Sequence, residues 1–146
     1  MRVRINNELI RGKLRFRIRL DFEAEEKTGR FFFGGKSCEE MAELVRKEQI
    51  NLLQNIPLPG IIIEDFDDSL EIYVLNSGEQ RRKKEIAYAP LKITLQADYL
   101  ESIFPLLLRP EFKKVEVLSP ENLNLDKLEL ERLLYAIFNY KYEKSR

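Results

Sequence analysis

The chain of 146 residues contains no histidine and no tryptophan, and Cys38 is its single cysteine. The lack of histidine excludes Ser-His-Asp triads, Cys–His pairs, histidine-ligated haem and most zinc sites. One cysteine cannot form an intramolecular disulfide. Small secreted domains usually need such bonds, so we expect a reducing compartment.

Long apolar runs are also missing. No stretch approaches the roughly 18 apolar residues that a membrane-spanning helix needs. The first residues alternate charged with apolar side chains and lack the apolar segment of a signal peptide. We therefore expect a cytoplasmic protein that makes no membrane contact.

The composition is that of a globular domain, with 44% apolar and 34% charged residues. The formal net charge is zero, but the charges are unevenly spread. Residues 1–20 contain seven basic residues and one acid, whereas residues 61–80 contain six acids and no base. Such asymmetry indicates a polyanion site or two complementary interaction faces.

Apolar and charged residues alternate with a period of two from Lys13 to Phe22, which predicts a strand with one buried face. A hairpin is expected from Ile61–Phe66 and Leu70–Leu75, with its turn at residues 67–69. The strand over Glu85–Gln96 contains Pro90, so we expect it to be interrupted or bulged there, with Pro90 at a sheet edge. Shorter strands are expected at Arg2–Ile5, Arg30–Phe33 and Lys113–Leu118.

Three helices are expected. Ser37 and Glu40 form a capping box for the first, whose apolar stripe is Met41, Leu44, Val45, Leu52 and Leu53. The second spans Tyr99–Leu108 and is kinked by Pro105. The last helix extends to about Tyr142. Its apolar stripe is Leu130, Leu133, Leu134, Ile137 and Phe138.

The predicted order is β-β-β-α-β-β-β-α-β-α. Because hairpins dominate, we expect an α+β fold: a mostly antiparallel sheet of about six strands covered by about three helices. Residues 1–146 are expected to form one domain, with a possible subdomain junction near 57–60.

The face of the strand at 13–22 that is expected to contact solvent is basic, because it carries Lys13, Arg15, Arg17 and Arg19. Alternate residues of a strand lie about 6–7 Å apart, which approximates the spacing of phosphates along a nucleic-acid strand. The alternatives are arginines paired with nearby acids and a protein interface. A second basic run, in an expected loop, could contact phosphate or an acidic partner; it comprises Arg81, Arg82, Lys83 and Lys84.

Gly35, Lys36 and Ser37 precede the first helix and suggest weak anion binding at its start. The pattern departs from a phosphate-binding loop because Arg30 occupies the position of the first glycine. A glycine turn followed by a helix cap is the simpler interpretation.

Acidic residues offer a metal-dependent alternative. The segment from Glu64 to Glu71 carries oxygens that hard cations prefer, but it lacks the ligand order of an EF-hand. Asp21, Glu25 and Lys27 resemble the residues with which one class of nucleases holds Mg²⁺ and activates water. We interpret these segments as solvated surface and Cys38 as structural, and we expect no catalytic residue, metal or cofactor.

The last helix also carries Tyr135, Tyr140 and Tyr142. Tyrosine is enriched at interfaces, so part of this helix could bind a partner; core packing with exposed phenol groups is the alternative.

One pattern resembles a known family. The strand at Leu91–Leu95, the helix to Leu108, the segment from Val115 to Leu123 and the final helix are similar to the C-terminal extension of WYL-type transcriptional regulators. The WYL core itself is missing, and no residue role follows from the similarity.

These features favour a non-catalytic accessory or regulatory binding module within a larger assembly, with possible nucleic-acid contact through the basic strand face. A pure protein-interaction subunit is the first alternative, and a carboxylate-metal enzyme such as a nuclease is the second. A protein partner or a second copy of the chain is the expected ligand.

Overall fold

The computed structural model describes residues 2–5, 8–10, 14–25, 37–77 and 84–144. The elements follow the predicted order, with two short additional strands, at Glu8–Ile10 and Leu123–Asn124. The strands are β1 Arg2–Ile5, β2 Glu8–Ile10, β3 Leu14–Glu25, β4 Ile61–Asp67, β5 Tyr73–Ser77, β6 Lys84–Ala97, β7 Phe112–Ser119 and β8 Leu123–Asn124. The helices are α1 Cys38–Asn55, a 3₁₀ helix at Leu100–Ile103, α2 Phe104–Leu107 and α3 Lys127–Lys144. The strand predicted at 30–33 lies outside the described residues.

The fold is α+β with antiparallel pairing throughout, as the sequence predicts. Five strands form the larger sheet, in the order β4-β6-β3-β7, and β5 also pairs with β6. A smaller sheet joins β2, β1 and β8. No described helix is long and apolar enough to cross a bilayer.

The core lies between α1 and one face of the larger sheet. Alternate residues of β3 are buried, with Ile18 and Leu20 fully inaccessible, as the period of two predicts. Leu91, Ile93 and Leu95 of β6 join them in one apolar cluster. Ser37 caps α1 by accepting the backbone N–H of Glu40 at 3.2 Å, as expected from the capping box.

The hairpin predicted between β4 and β5 is wrong. Both strands pair with β6 instead, β4 through Asp67↔Lys92 and β5 through Tyr73↔Tyr88. Because β6 has 14 residues, it is long enough to hold the two short strands end to end. Periodicity gives the direction of side chains but does not identify the partner strand.

Pro90 lies inside the sheet rather than at its edge. Its partner on β3 is Asp21, which donates its backbone N–H towards β7, to Glu111 O at 2.9 Å. The backbone of Pro90 therefore points the other way, into the gap between β4 and β5, where no N–H is needed. Arg46 of α1 enters this gap and donates to the carbonyl oxygens of Pro90 and Leu70 at 3.0 and 3.2 Å.

Helix α1 buries Cys38, Ala42, Arg46 and Leu53, of which only Leu53 belongs to the predicted stripe. Val45 of that stripe is partly buried against the core. Met41, Leu44 and Leu52 are 38–42% exposed. Small residues make part of the contact between α1 and β6, since Ala42 packs against Ala87 and Ala89. The predicted helix at 99–108 consists of the 3₁₀ helix and α2, with Pro105 in the first turn of α2, where it needs no N–H donor.

Candidate functional site

The three predicted arginines of β3 lie together on the outer face of the sheet, and each has an acidic partner. Arg15 binds Glu64 through two hydrogen bonds, of 2.9 and 2.7 Å. Arg19 binds Asp21 in the same manner, at 2.8 and 3.1 Å. Arg17 Nη1 lies 3.6 Å from Glu116 Oε2. The three arginines are therefore paired with acidic residues of the same chain, which is one of the alternatives given above for the basic strand face.

The Arg15–Glu64 pair is the strongest of these by geometry. Gln96 also donates to Glu64, at 2.7 Å. The hydrogen bonds from Arg15 and Gln96 lower the pKa of Glu64 to about 2, and the same pair raises the pKa of Arg15. A phosphate that approached Arg15 would have to compete with a carboxylate that stays ionised at neutral pH.

The Asp21 side chain connects β3 with β5. It is 3% exposed, binds Arg19, and accepts a hydrogen bond of 2.5 Å from the Tyr73 hydroxyl of β5. The ring of Tyr73 stacks on Tyr88, with ring centroids 5.0 Å apart. Burial and the hydrogen bond to Asp21 raise the pKa of Tyr73 to about 12. The neutral phenol and the buried carboxylate stabilise the docking of β5 beside β6.

Of the remaining predicted basic residues, only Lys84 is described, and it lies far from the arginines of β3. Lys84 begins β6 and pairs with Ser77, whereas Arg19 pairs with Lys92. These positions of β6 are eight residues apart, or roughly 26 Å in an extended strand. Lys13, Arg81, Arg82 and Lys83 lie outside the described residues.

The predicted anion site at Gly35, Lys36 and Ser37 is described only at Ser37, which caps α1. Cys38 follows it and is 5% exposed, in the small cluster with Ala42 and the alanines of β6.

The acidic residues suggested as metal ligands are separated in the fold. Asp21 and Glu25 share a face of β3 but lie four residues apart, roughly 13 Å along the strand. Glu64 binds Arg15, and Asp67 accepts hydrogen bonds from Ser69 that lower its pKa. Lys27 lies outside the described residues. Within the described ranges, no three carboxylate or cysteine side chains are grouped closely enough to hold a metal ion.

Helix α3 has an apolar stripe that the rest of the described fold leaves uncovered. Leu130, Leu134, Ile137 and Phe138 are 46–60% exposed. The predicted stripe is thus present in the helix, but only Leu133 among its members is half-buried. None of residues 127–143 is buried, and the main contact of α3 is with the 3₁₀ helix.

Arg132 and Tyr140 of α3 contact that region. The Arg132 guanidinium lies 3.0 Å from Glu101 Oε1 and 4.6 Å from the centre of the Tyr99 ring. Tyr140 packs edge-on against Phe104 of α2, with centroids 5.8 Å apart. Tyr142 stacks on Phe138 at 6.2 Å, on the exposed side of the helix.

A groove of about 1140 Å³ separates α3 from the segment that contains the 3₁₀ helix. Six acidic residues contribute to its walls: Asp98, Glu101, Asp126, Glu129, Glu131 and Glu143. Among the described lining residues, Arg132 alone is basic, and three tyrosines, at positions 99, 135 and 140, complete the aromatic part. The groove is therefore acidic and aromatic, whereas the arginines of β3 on the outer sheet face are paired with acids.

No family model matches the chain, and no curated protein or solved structure matches it either. The similarity to WYL-type regulators is therefore unsupported by any family model.

Sequence reasoning missed the groove. Its two walls are separated by about 30 positions in the chain, and the docking of α3 beside the 3₁₀ helix, with Arg132 on Glu101, brings them together. Two signals were present: the acids at 98 and 101, and those at 126, 129 and 131. In the structure Asp126 also caps α3, by accepting the backbone N–H of Glu129 at 2.8 Å.

Proposed function

We propose that the chain is a non-catalytic binding module that acts by associating with another protein through α3. The observation that carries this proposal is the uncovered apolar stripe formed by Leu130, Leu134, Ile137 and Phe138, of which Phe138 is 60% exposed. Contiguous exposed apolar patches on soluble domains mark interaction sites. Fully burying one such side chain contributes about 1.5–3 kcal/mol, so a partner that covers the stripe gains substantial free energy.

The paired arginines of β3 favour a protein partner over nucleic acid. Nucleic-acid affinity comes largely from cations that neutralise phosphates and release counterions. Arg15 and Arg19 are each bound by a carboxylate at two atoms, so phosphate contact would require breaking those bonds. The nucleic-acid function predicted from the strand face therefore ranks second.

The test is a comparison of three forms of the tagged chain in nuclease-treated lysate of its source. Leu134→Glu with Phe138→Glu places two charges on the stripe, and Leu44→Glu is the control at an exposed leucine of α1. We expect one or more proteins, at stoichiometric yield, with the original chain and the control but not with the stripe variant. Circular dichroism should show that all three forms are folded.

A different outcome would favour nucleic acid. The purified chain is titrated with labelled DNA and RNA at about 50 and 200 mM salt. Two results together would overturn the proposal. The first is tight binding that weakens at least tenfold with salt and is lost in Arg15→Glu with Arg17→Glu. The second is that the three lysate samples give identical protein profiles.

A further inference from the structure

We infer that the groove between the 3₁₀ helix and α3 binds a basic segment of the partner protein, with arginine or lysine side chains seated between its carboxylates and tyrosine rings. This inference rests on the proposed function and adds the chemistry of the partner. The groove lies on a different side of α3 from the apolar stripe, so the two surfaces can be altered separately.

The first argument is uncompensated charge. On the sheet face, three acids have cationic partners: Glu64 with Arg15, Asp21 with Arg19, and Glu116 with Lys114. In the groove, Arg132 is committed to Glu101, at 3.0 Å. No ion pair with a described residue is formed by Asp98, Glu131 or Glu143, so cations from outside would complement these walls.

The second argument is the way in which the groove already holds a cation. The Arg132 guanidinium lies between the Glu101 carboxylate and the face of the Tyr99 ring. Electrostatic attraction to the ring adds to the ion pair in such an arrangement. Tyr135 is 65% exposed and lies one helical turn from Glu131, so it offers a second ring beside a carboxylate.

The third argument is the shape of the site. Glu131, Tyr135, Asn139 and Glu143 line the groove and follow each other at intervals of four residues along α3. The outer two are separated by about 18 Å of helix. That distance is too long for one metal ion and equals roughly five residues of extended peptide. The geometry suits a peptide with several spaced cations.

The experiment is a fluorescence-polarisation titration of the full chain with a fluorescein-labelled peptide of alternating arginine and serine, about ten residues long. A peptide of alternating glutamate and serine is the charge control. We expect saturable binding of the arginine peptide only. Glu131→Gln with Glu143→Gln should weaken it about tenfold, because two exposed ion pairs are lost.

A matched variant distinguishes the groove from general charge attraction. Glu48→Gln with Glu71→Gln removes the same number of charges at exposed positions outside the groove, and it should change the affinity less than about twofold. Tyr135→Leu keeps apolar area but removes the ring, so we expect affinity to fall about threefold. Equal weakening by the two charge variants, or no binding at all, would overturn the inference.

Failure here is separable from failure of the proposed function. Leu134→Glu with Phe138→Glu should leave binding of the arginine peptide intact while abolishing capture of the protein partner. If the peptide does not bind but stripe-dependent capture persists, the groove inference fails and the proposed function stands.

Discussion

Helices α1 and α3 have the same length, 18 residues, and both begin with a side-chain cap, yet they have different relations to the core. Helix α1 buries four residues against β3 and β6. In helix α3 none of residues 127–143 is buried, and the apolar stripe is exposed. The difference separates stability from binding: the sheet with α1 holds the fold, and α3 presents surface that another molecule can cover.

The largest difference in stability should come from replacing one phenylalanine in the sheet and one in α3. Phe16→Ala in β3 removes a ring that is 1% exposed, so it should destabilise the chain by about 3–5 kcal/mol. Phe138→Ala in α3 removes a ring that is 60% exposed and should change stability by less than about 0.5 kcal/mol. Urea denaturation followed by circular dichroism measures both. Similar losses in the two variants would show that α3 belongs to the cooperative core.

Replacing one arginine in each helix should give a smaller difference in stability. Arg46→Ala leaves the carbonyl oxygens of Pro90 and Leu70 without their donor, so we expect a loss of about 2–3 kcal/mol. Arg132→Ala breaks an exposed pair with Glu101 and should lower stability by less than about 1 kcal/mol. The thermal midpoint reports both changes. A midpoint that falls further for Arg132→Ala would reverse the roles assigned to the helices.

The smallest expected effect is the dependence of stability on the titration of Glu64, on the sheet face. The folded pKa of Glu64 is about 2, below its ordinary value of 4.5. The Arg15–Glu64 pair therefore stabilises the fold fully above pH 4.5, and this contribution is lost as pH falls towards 2. Carbon-detected NMR of the Glu64 carboxyl should show the low pKa, and Arg15→Gln should raise it. A normal pKa in the unmodified chain would mean that Arg15 is available to a phosphate after all.

Much of the fold follows from local patterns. The alternation over 13–22 predicts β3 and its buried face, and Ser37 with Glu40 predicts the start of α1. Long-range choices do not follow in this way. The pairing of β4 and β5 with β6 depends on the length of β6, and Pro90 fits inside the sheet only because those two strands leave a gap.

The candidate site is predictable in parts. The sequence identifies the apolar stripe of α3 and the arginines of β3. It does not establish that the stripe is exposed or that the arginines are paired with acids. Exposure depends on where α3 docks, which the sequence pattern of the helix alone does not encode. The pairing of Arg15 with Glu64 joins residues 49 positions apart on strands that both flank β6.

Site-specific photo-crosslinking tests the central claim most directly. A benzophenone amino acid is placed at Ile137 in the stripe of α3, or at Leu44 on α1, which have comparable exposures of 50% and 42%. After irradiation in cells of the source, we expect a discrete protein adduct from position 137 and none from position 44. Adducts from position 44 alone, or from neither position, would contradict the assignment of α3 as the binding element.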